Sequence, residues 1–161
     1  MRSEIEKFYD TPDPWGYQDN PSDLLRKTKI LEALKPYKPL YEKSLDIGCG
    51  EGWITKDLPA AKKYGIELSD NASQRFPTDV IRIHEPKGKY DLIIATGVMY
   101  EHYDHKQFID WIKKHASGIV LLCNIKEWEV GTDVLGSPVY SEDFPYREFT
   151  ETLKVYDFTA S

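Results

Sequence analysis

Apolar residues along this chain follow two rhythms. "YDLIIAT" (90–96) and "GIVLLCNI" (118–125) are continuously apolar, which predicts strands buried on both faces. "DVIRIH" (79–84) alternates like a strand, "YGIEL" (64–68) reads as a short one, and an apolar run leads into "SLDIGCGEG" (44–52). Helical spacing appears between them. From Ser22, a potential cap, Leu24, Thr28, Leu31 and Lys35 mark one side of a helix that Leu25 and Leu34 widen, and Pro36 and Pro39 stop it. A short helix is predicted over Trp53–Leu58, a brief one over Asp70–Phe76, and another over Asp104–His115 with Phe108, Ile109, Trp111 and Ile112 on its core side.

Strands alternating with short helices imply a parallel sheet covered on both faces. The ends depart from that rhythm. "FYDTPDPWGYQDNPSD" (8–23) is rich in Pro, Asp and aromatics without periodicity, and reads as a loop or lid. "YSEDFPYREF" (140–149) and "ETLKVYDF" (151–158) alternate loosely and predict strands or a hairpin. The expectation is a single domain over residues 1–161, with an N-terminal cover at 1–21, a core at 22–125 and C-terminal strands at 126–161.

Composition narrows the partners. A formal charge of −6 argues against nucleic acid bound mainly through its phosphates. No run approaches a membrane span, and "MRSEIEKFYD" has no signal-peptide core, so a cytoplasmic protein without a membrane partner is expected. Two cysteines, Cys49 and Cys123, offer no disulfide framework. Free thiols are expected.

Candidate chemistry centres on "LDIGCGEGW" (45–53). In open α/β sheets ligands sit beyond the carboxyl ends of strands, and glycines there let backbone approach a ligand. A dinucleotide fingerprint requires G-x-G-x-x-G; Gly48 and Gly50 fit, but Trp53 occupies the third position and Gly52 is additional. Glycines two apart after an acid, Asp46, instead match the first motif of Rossmann-like S-adenosylmethionine-dependent methyltransferases. That cofactor has no pyrophosphate; its ammonium suits a strand-end carboxylate, and Glu67, closing the next strand, suits the ribose diol.

With "LDIGCGEG", "GIELS" and "YDLIIATGVMYEH" in this order, residues 40–125 resemble the class I methyltransferases. "FYDTPDPWGY" and "LLRKTKILEAL" are similar to small bacterial members, including nodulation-type N-methyltransferases. The resemblance implies an α/β, doubly wound, mostly parallel sheet with S-adenosylmethionine as cofactor and methyl transfer as activity. It assigns the methionine portion to Asp46, Gly48, Cys49, Gly50 and Gly52, the ribose to Glu67 and the adenine flank to Leu68. Thr96, Gly97 and Val98 line the sulfonium side, while Tyr9, Trp15 and Arg26 close over the cofactor, with Arg26 a partner for its carboxylate. The chain departs from the family plan in a reduced helix set. Too few residues separate "IRIHEP" from "KYDLII" for a helix, and the helix before a C-terminal antiparallel strand or hairpin is missing.

Methyl transfer to a hydroxyl or amine needs approach geometry and sometimes a base. "MYEHYDHK" (99–106) gathers candidates, of which His102 and Tyr103 are placed at the acceptor chemistry. The alternative is that Glu101–His102 orders the turn and Asp104 caps the next helix. His102, Asp104 and His105 lack a third spaced ligand, so no metal is expected. The acceptor is expected to be a small molecule, and a sugar-like one would suit a wall of Trp15, Tyr17, Trp128, Tyr140, Phe144 and Tyr146, which equally suit core cover. Two rivals stay open: a nicotinamide oxidoreductase and a cofactor-binding module without catalysis.

Overall fold

A computed structural model describes residues 6–14, 16, 17 and 19–159. Seven strands form one sheet: β1 (Tyr41–Ile47), β2 (Ala60–Ile66), β3 (Val80–Ile83), β4 (Tyr90–Thr96), β5 (Ala116–Ile125), β6 (Tyr140–Tyr146) and β7 (Phe149–Asp157). Their order is β3-β2-β1-β4-β5-β7-β6. The first five are parallel, while β7 runs antiparallel to β5 and β6 to β7. Strand order reverses between β1 and β4, which opens a crevice beyond their carboxyl ends. The predicted Rossmann-like sheet and C-terminal hairpin are both present.

The helices are α1 (Pro21–Leu34), α2 (Asp70–Ser73) and α3 (His105–His115). On α3 the expected face is inward: Ile109 and Ile112 are buried, Phe108 and Trp111 pack beside them, and the Asp104 carboxylate caps the first turn by accepting from the Gln107 N–H. That face covers one side of the sheet with Leu45, Ile47, Ile93, Val120 and Leu122. The other side packs Ile30 and Leu34 of α1 against Leu92, Ile94, Leu121 and Leu153.

Helix α1 corrects two expectations. Its cap is Asn20, whose side chain accepts from the Ser22 N–H, and Pro21 fits the first turn, where no N–H partner is needed. Its inward side is Asp23, Arg26, Ile30 and Leu34, whereas Leu24 and Leu25 are exposed. Apolar spacing pointed to the wrong face at this end because two charged residues are buried there with partners. A third correction falls at 53–58, where only a 3-10 turn, Thr55–Asp57, forms. Leu58 precedes Pro59 and is extended, ψ 141°, and the glycine loop occupies the residues upstream. Helix α2 is also shorter than predicted, continuing as hydrogen-bonded turns to Phe76 before Pro77.

Two helices expected to be missing have no counterpart. Residues 84–89 form a turn between β3 and β4, and the link from β5 to β6 holds a single 3-10 turn, Thr132–Leu135. Cys49 and Cys123 are free thiols. No helix of the described residues is long and apolar enough to cross a membrane.

Candidate active site

The glycine loop leaves β1 at Ile47 and is tied back at once. The N–H groups of Gly48 and Cys49 donate to the Ile66 carbonyl at the end of β2, at 2.8 and 3.2 Å. Gly50 has φ +60°, and a Cβ built there would stand 2.9 Å from the Tyr9 hydroxyl. The loop therefore needs glycine at this point twice, for backbone conformation and for the approach of the N-terminal segment. At Gly48 the constraint is packing: a Cβ would meet Val98 Cγ1 at 2.6 Å. A Cβ built at Gly52 would stand 3.0 Å from Pro77 Cδ, and Gly52 does not line the cleft.

Two carboxylates lie under this loop. Asp46, near the end of β1, is buried, and the Thr55 hydroxyl donates to its Oδ2 at 2.7 Å. Burial pushes its pKa up to about 7; the Thr55 bond opposes the rise and the neighbouring Glu67 charge adds to it. Glu67 follows β2. Its Oε1 accepts from the Gly50 N–H at 2.8 Å and its Oε2 from the Ser69 N–H at 2.9 Å. Burial raises its pKa, and these two bonds counter the rise. Each oxygen keeps a lone pair for a further donor.

The N-terminal segment forms the cover. Asp13 N–H donates to both oxygens of Glu51 on the glycine loop (2.9 and 3.1 Å), and Arg75 holds the same carboxylate at 2.8 Å. Glu6 accepts from the Asp70 and Asn71 N–H groups, and Tyr17 stacks on Trp53 at 6.0 Å between centroids. Tyr9 is buried over Gly50. Beneath the cover lies a cleft, whose inner wall includes Asp23, Arg26, Asp46 and Thr96.

Arg26 enters this wall from α1. Its Nη2 donates to Glu151 Oε2 at 3.2 Å, and its Nε lies 2.8 Å from Oε1, off the axis of a hydrogen bond. Its guanidinium carbon sits 3.8 Å from the centre of the Tyr146 ring. The Tyr146 hydroxyl donates to Asp23 at 2.6 Å, and Arg147 pairs with the same carboxylate. Thr96 Oγ1, in the cleft wall at the end of β4, is buried with no hydrogen-bond partner among the described residues.

Beyond β4 the chain turns through Val98 and Met99, whose N–H groups donate to Asn124 Oδ1. Tyr100 is buried, its hydroxyl accepting from the Ile125 N–H at 2.8 Å. His102 is exposed, with its ring 4.5 Å from Tyr103 and 5.7 Å from Tyr100. Trp128, also exposed, meets Tyr100 edge-on and lies 4.8 Å from Phe149.

Of the residues singled out in the sequence for cofactor or acceptor, Tyr9, Tyr17, Arg26, Asp46, Gly48, Cys49, Gly50 and Thr96 line the cleft. Glu67 sits behind the loop, Gly97 and Val98 lie beside Arg26 and Gly48, and Leu68 is exposed. His102 and Tyr103 form a separate aromatic cluster, and Trp15 falls outside the described residues. Phe144 belongs to the core on the α1 side. Asp23, Glu51, Thr55 and Glu151 were not singled out in the sequence, and Tyr146, offered there for the acceptor or core cover, lies against Arg26 instead. Only Glu51, inside the glycine motif, carried a local signal.

The donor set fits a nucleoside that carries an amino acid with free ammonium and carboxylate groups: the unpartnered Thr96 hydroxyl, a loop bare at Gly50, the two buried carboxylates Asp46 and Glu67, and the Arg26 cation. Residues 17–152 match the family model for a methyltransferase domain. No curated protein matches. The fold is similar to N-methyltransferase NodS from Bradyrhizobium japonicum WM9, crystallised with S-adenosyl-L-homocysteine, with a TM-score of 0.79, 18% identity and coverage of 97% of each chain. It is also similar to magnesium protoporphyrin IX methyltransferase ChlM from Synechocystis PCC 6803 (TM-score 0.76, 15% identity, 97% of this chain and 98% of that one). At these identities the likeness speaks for the fold, and the match over residues 17–152 speaks for the family. The chain belongs to the methyltransferase domain family and is a class I S-adenosylmethionine-dependent methyltransferase.

Proposed function

We propose that the cleft holds S-adenosylmethionine by its amino-acid end and that the acceptor is a hydroxyl or amine of a small molecule. The observation that carries this is the placing of two buried carboxylates, Asp46 and Glu67, behind a loop that is bare at Gly50. When bound, the cofactor supplies the methyl group as an electrophile on cationic sulfur. Asp46 and the backbone around Gly48, Cys49 and Gly50 hold the ammonium. Arg26 takes the carboxylate, and Glu67 accepts from the ribose hydroxyls while its bonds to the Gly50 and Ser69 N–H groups fix its orientation. Leu68 flanks the adenine, Gly52 shapes the loop, and Thr96, Gly97 and Val98 border the sulfonium. Tyr9 and its neighbours exclude water from above.

At the mouth, His102 is the candidate to accept a proton from the acceptor, with Tyr103 positioning its ring. The likeness to NodS, named an N-methyltransferase, supports an amine as one acceptor class.

Calorimetric titration with S-adenosylhomocysteine and with NAD tests the site, and only the first should bind. A transfer assay with methyl-labelled S-adenosylmethionine over small hydroxyl and amine compounds tests the acceptor. Binding of NAD alone would overturn the site. Labelling confined to protein or nucleic acid would overturn the acceptor class.

A further inference from the structure

Glu151 lies on β7, fully buried and outside the cleft wall, yet both of its oxygens are committed to the site. Oε1 lies 2.8 Å from Arg26 Nε and accepts from Cys123 Sγ at 3.2 Å, while Oε2 accepts from Arg26 Nη2 at 3.2 Å. The guanidinium carbon sits 3.8 Å from the centre of the Tyr146 ring, and the Tyr146 hydroxyl is itself anchored on Asp23. Nη2 is hydrogen-bonded to Glu151 and Nε faces it at ion-pair distance without a hydrogen bond, so Nη1 is the nitrogen not turned to Glu151. It makes no hydrogen bond among the described residues, stands 4.0 Å from Asp23 Oδ1, and reaches to 4.0 Å from a Cβ built at Gly97. Gly97 follows β4 directly after Thr96, whose hydroxyl is unpartnered in the cleft wall.

This arrangement is a poor stability device. Removing an arginine and a glutamate from water costs about as much as their attraction returns, and apolar residues of similar volume commonly do as well. Its geometric effect is specific. Two contacts on one edge of the guanidinium and a ring beneath it leave a single orientation, which aims the opposite edge at the end of β4.

We infer that Glu151 is a positioning residue: it orients Arg26 so that Nη1 meets the carboxylate of the cofactor, making the C-terminal hairpin part of cofactor selection. The inference rests on the proposed placement of the amino-acid end beside Arg26. It assigns a role to a residue 125 positions away along the chain, on a strand with no residue in the cleft wall.

The test compares two ligands that share adenosine and a thioether. S-adenosylhomocysteine carries the amino-acid end, and 5′-methylthioadenosine lacks it. In full-length protein, Glu151→Gln should weaken S-adenosylhomocysteine roughly tenfold, the scale of one charge-assisted contact, and leave methylthioadenosine unchanged. A role in support of the fold alone would weaken both equally, and that result, or no change in either, overturns the inference. If Glu151→Gln does not fold, Tyr146→Leu, which removes the platform and keeps the ion pair, should show the same selective loss and is judged the same way. Arg26→Met separates the two levels of argument. If it weakens both ligands alike, the placement of the carboxylate is wrong; if it is selective while Glu151→Gln is not, only the positioning role fails.

Discussion

The floor of the cleft and its mouth are built in opposite ways. On the floor, Asp46, Glu67 and Arg26 are buried and each is fixed by named partners: Thr55, the Gly50 and Ser69 N–H groups, and Glu151. At the mouth, His102 and Trp128 are exposed and held by ring contacts with Tyr100, Tyr103 and Phe149. A preorganised floor suits a ligand of fixed chemistry, since its groups need not be ordered on binding. A mouth carried on turns, beyond a sheet whose usual covering helices are reduced, leaves acceptor choice to side chains that substitute at little cost to the fold.

Breaking the floor should have the largest effect. Gly50→Val places a β-branched residue at φ +60° with its Cβ against the Tyr9 hydroxyl, combining backbone strain with a clash. Calorimetry should find no S-adenosylhomocysteine binding, and the melting temperature should fall. A folded Val variant that binds normally would reduce the loop to a turn.

Glu67→Ala comes next. It removes the acceptor assigned to the ribose and leaves the Gly50 and Ser69 N–H groups without their carboxylate. A charge-assisted bond is worth about 1.5–3 kcal/mol, so affinity should fall roughly tenfold to a hundredfold. Unchanged affinity would put the ribose elsewhere.

How far these residues were legible in the sequence follows the same division. Asp46, Gly50 and Glu67 were readable because a strand end, a bare loop and a second strand end follow one another closely. Glu151 was not, nor was the part Tyr146 plays beside Arg26. Their partners lie on α1, more than a hundred residues upstream, and an isolated Glu or Tyr on a loosely alternating strand gives no sign of them. The same network explains the misread face of α1: periodicity assumes that apolar residues turn inward, and here Asp23 and Arg26 do so because each meets its counter-charge. The loss of the helix at 53–58 was local but involved competing signals, an apolar pattern against Pro59, and the proline prevailed. The reduced helix set was legible from spacing alone, since 84–89 is too short for a helix.

A pH titration sharpens the comparison more gently. Asp46 has its pKa raised to about 7 from an ordinary 3.8, so the folded, ligand-free protein takes up a proton that the unfolded chain gives up. The native state binds more protons between these values, and stability without ligand should therefore fall as pH rises from about 4 to about 7. Ligand binding has the opposite sign. An ammonium favours the ionised carboxylate, so affinity for S-adenosylhomocysteine should rise by up to about tenfold per pH unit below 7 and level off above it. Asp46→Asn should flatten both profiles. An affinity that stays constant from pH 5 to pH 8 in the unaltered protein would remove Asp46 from the ammonium.

The smallest expected effect on cofactor binding and stability is at the mouth, and it decides whether the two regions are separate. His102 is exposed, and its ring contacts among the described residues are with Tyr100 and Tyr103, contacts worth about 0.5–1.5 kcal/mol when fully formed between buried rings and less here. His102→Ala should leave the melting temperature and the affinity for S-adenosylhomocysteine nearly unchanged, because its own ring contacts are with Tyr100 and Tyr103 rather than with Asp46, Glu67 or Arg26. Turnover should respond instead. Loss of a positioned base lowers kcat by about a hundredfold or more at a pH where the acceptor is protonated, and by less once the acceptor has lost its proton in solution. The measurement is therefore a kcat profile against pH beside a binding isotherm. A His102→Ala protein that loses cofactor affinity as Glu67→Ala does would join mouth and floor into one site. One whose turnover matches the unaltered enzyme at every pH would leave His102 ordering the turn after β4 and nothing more.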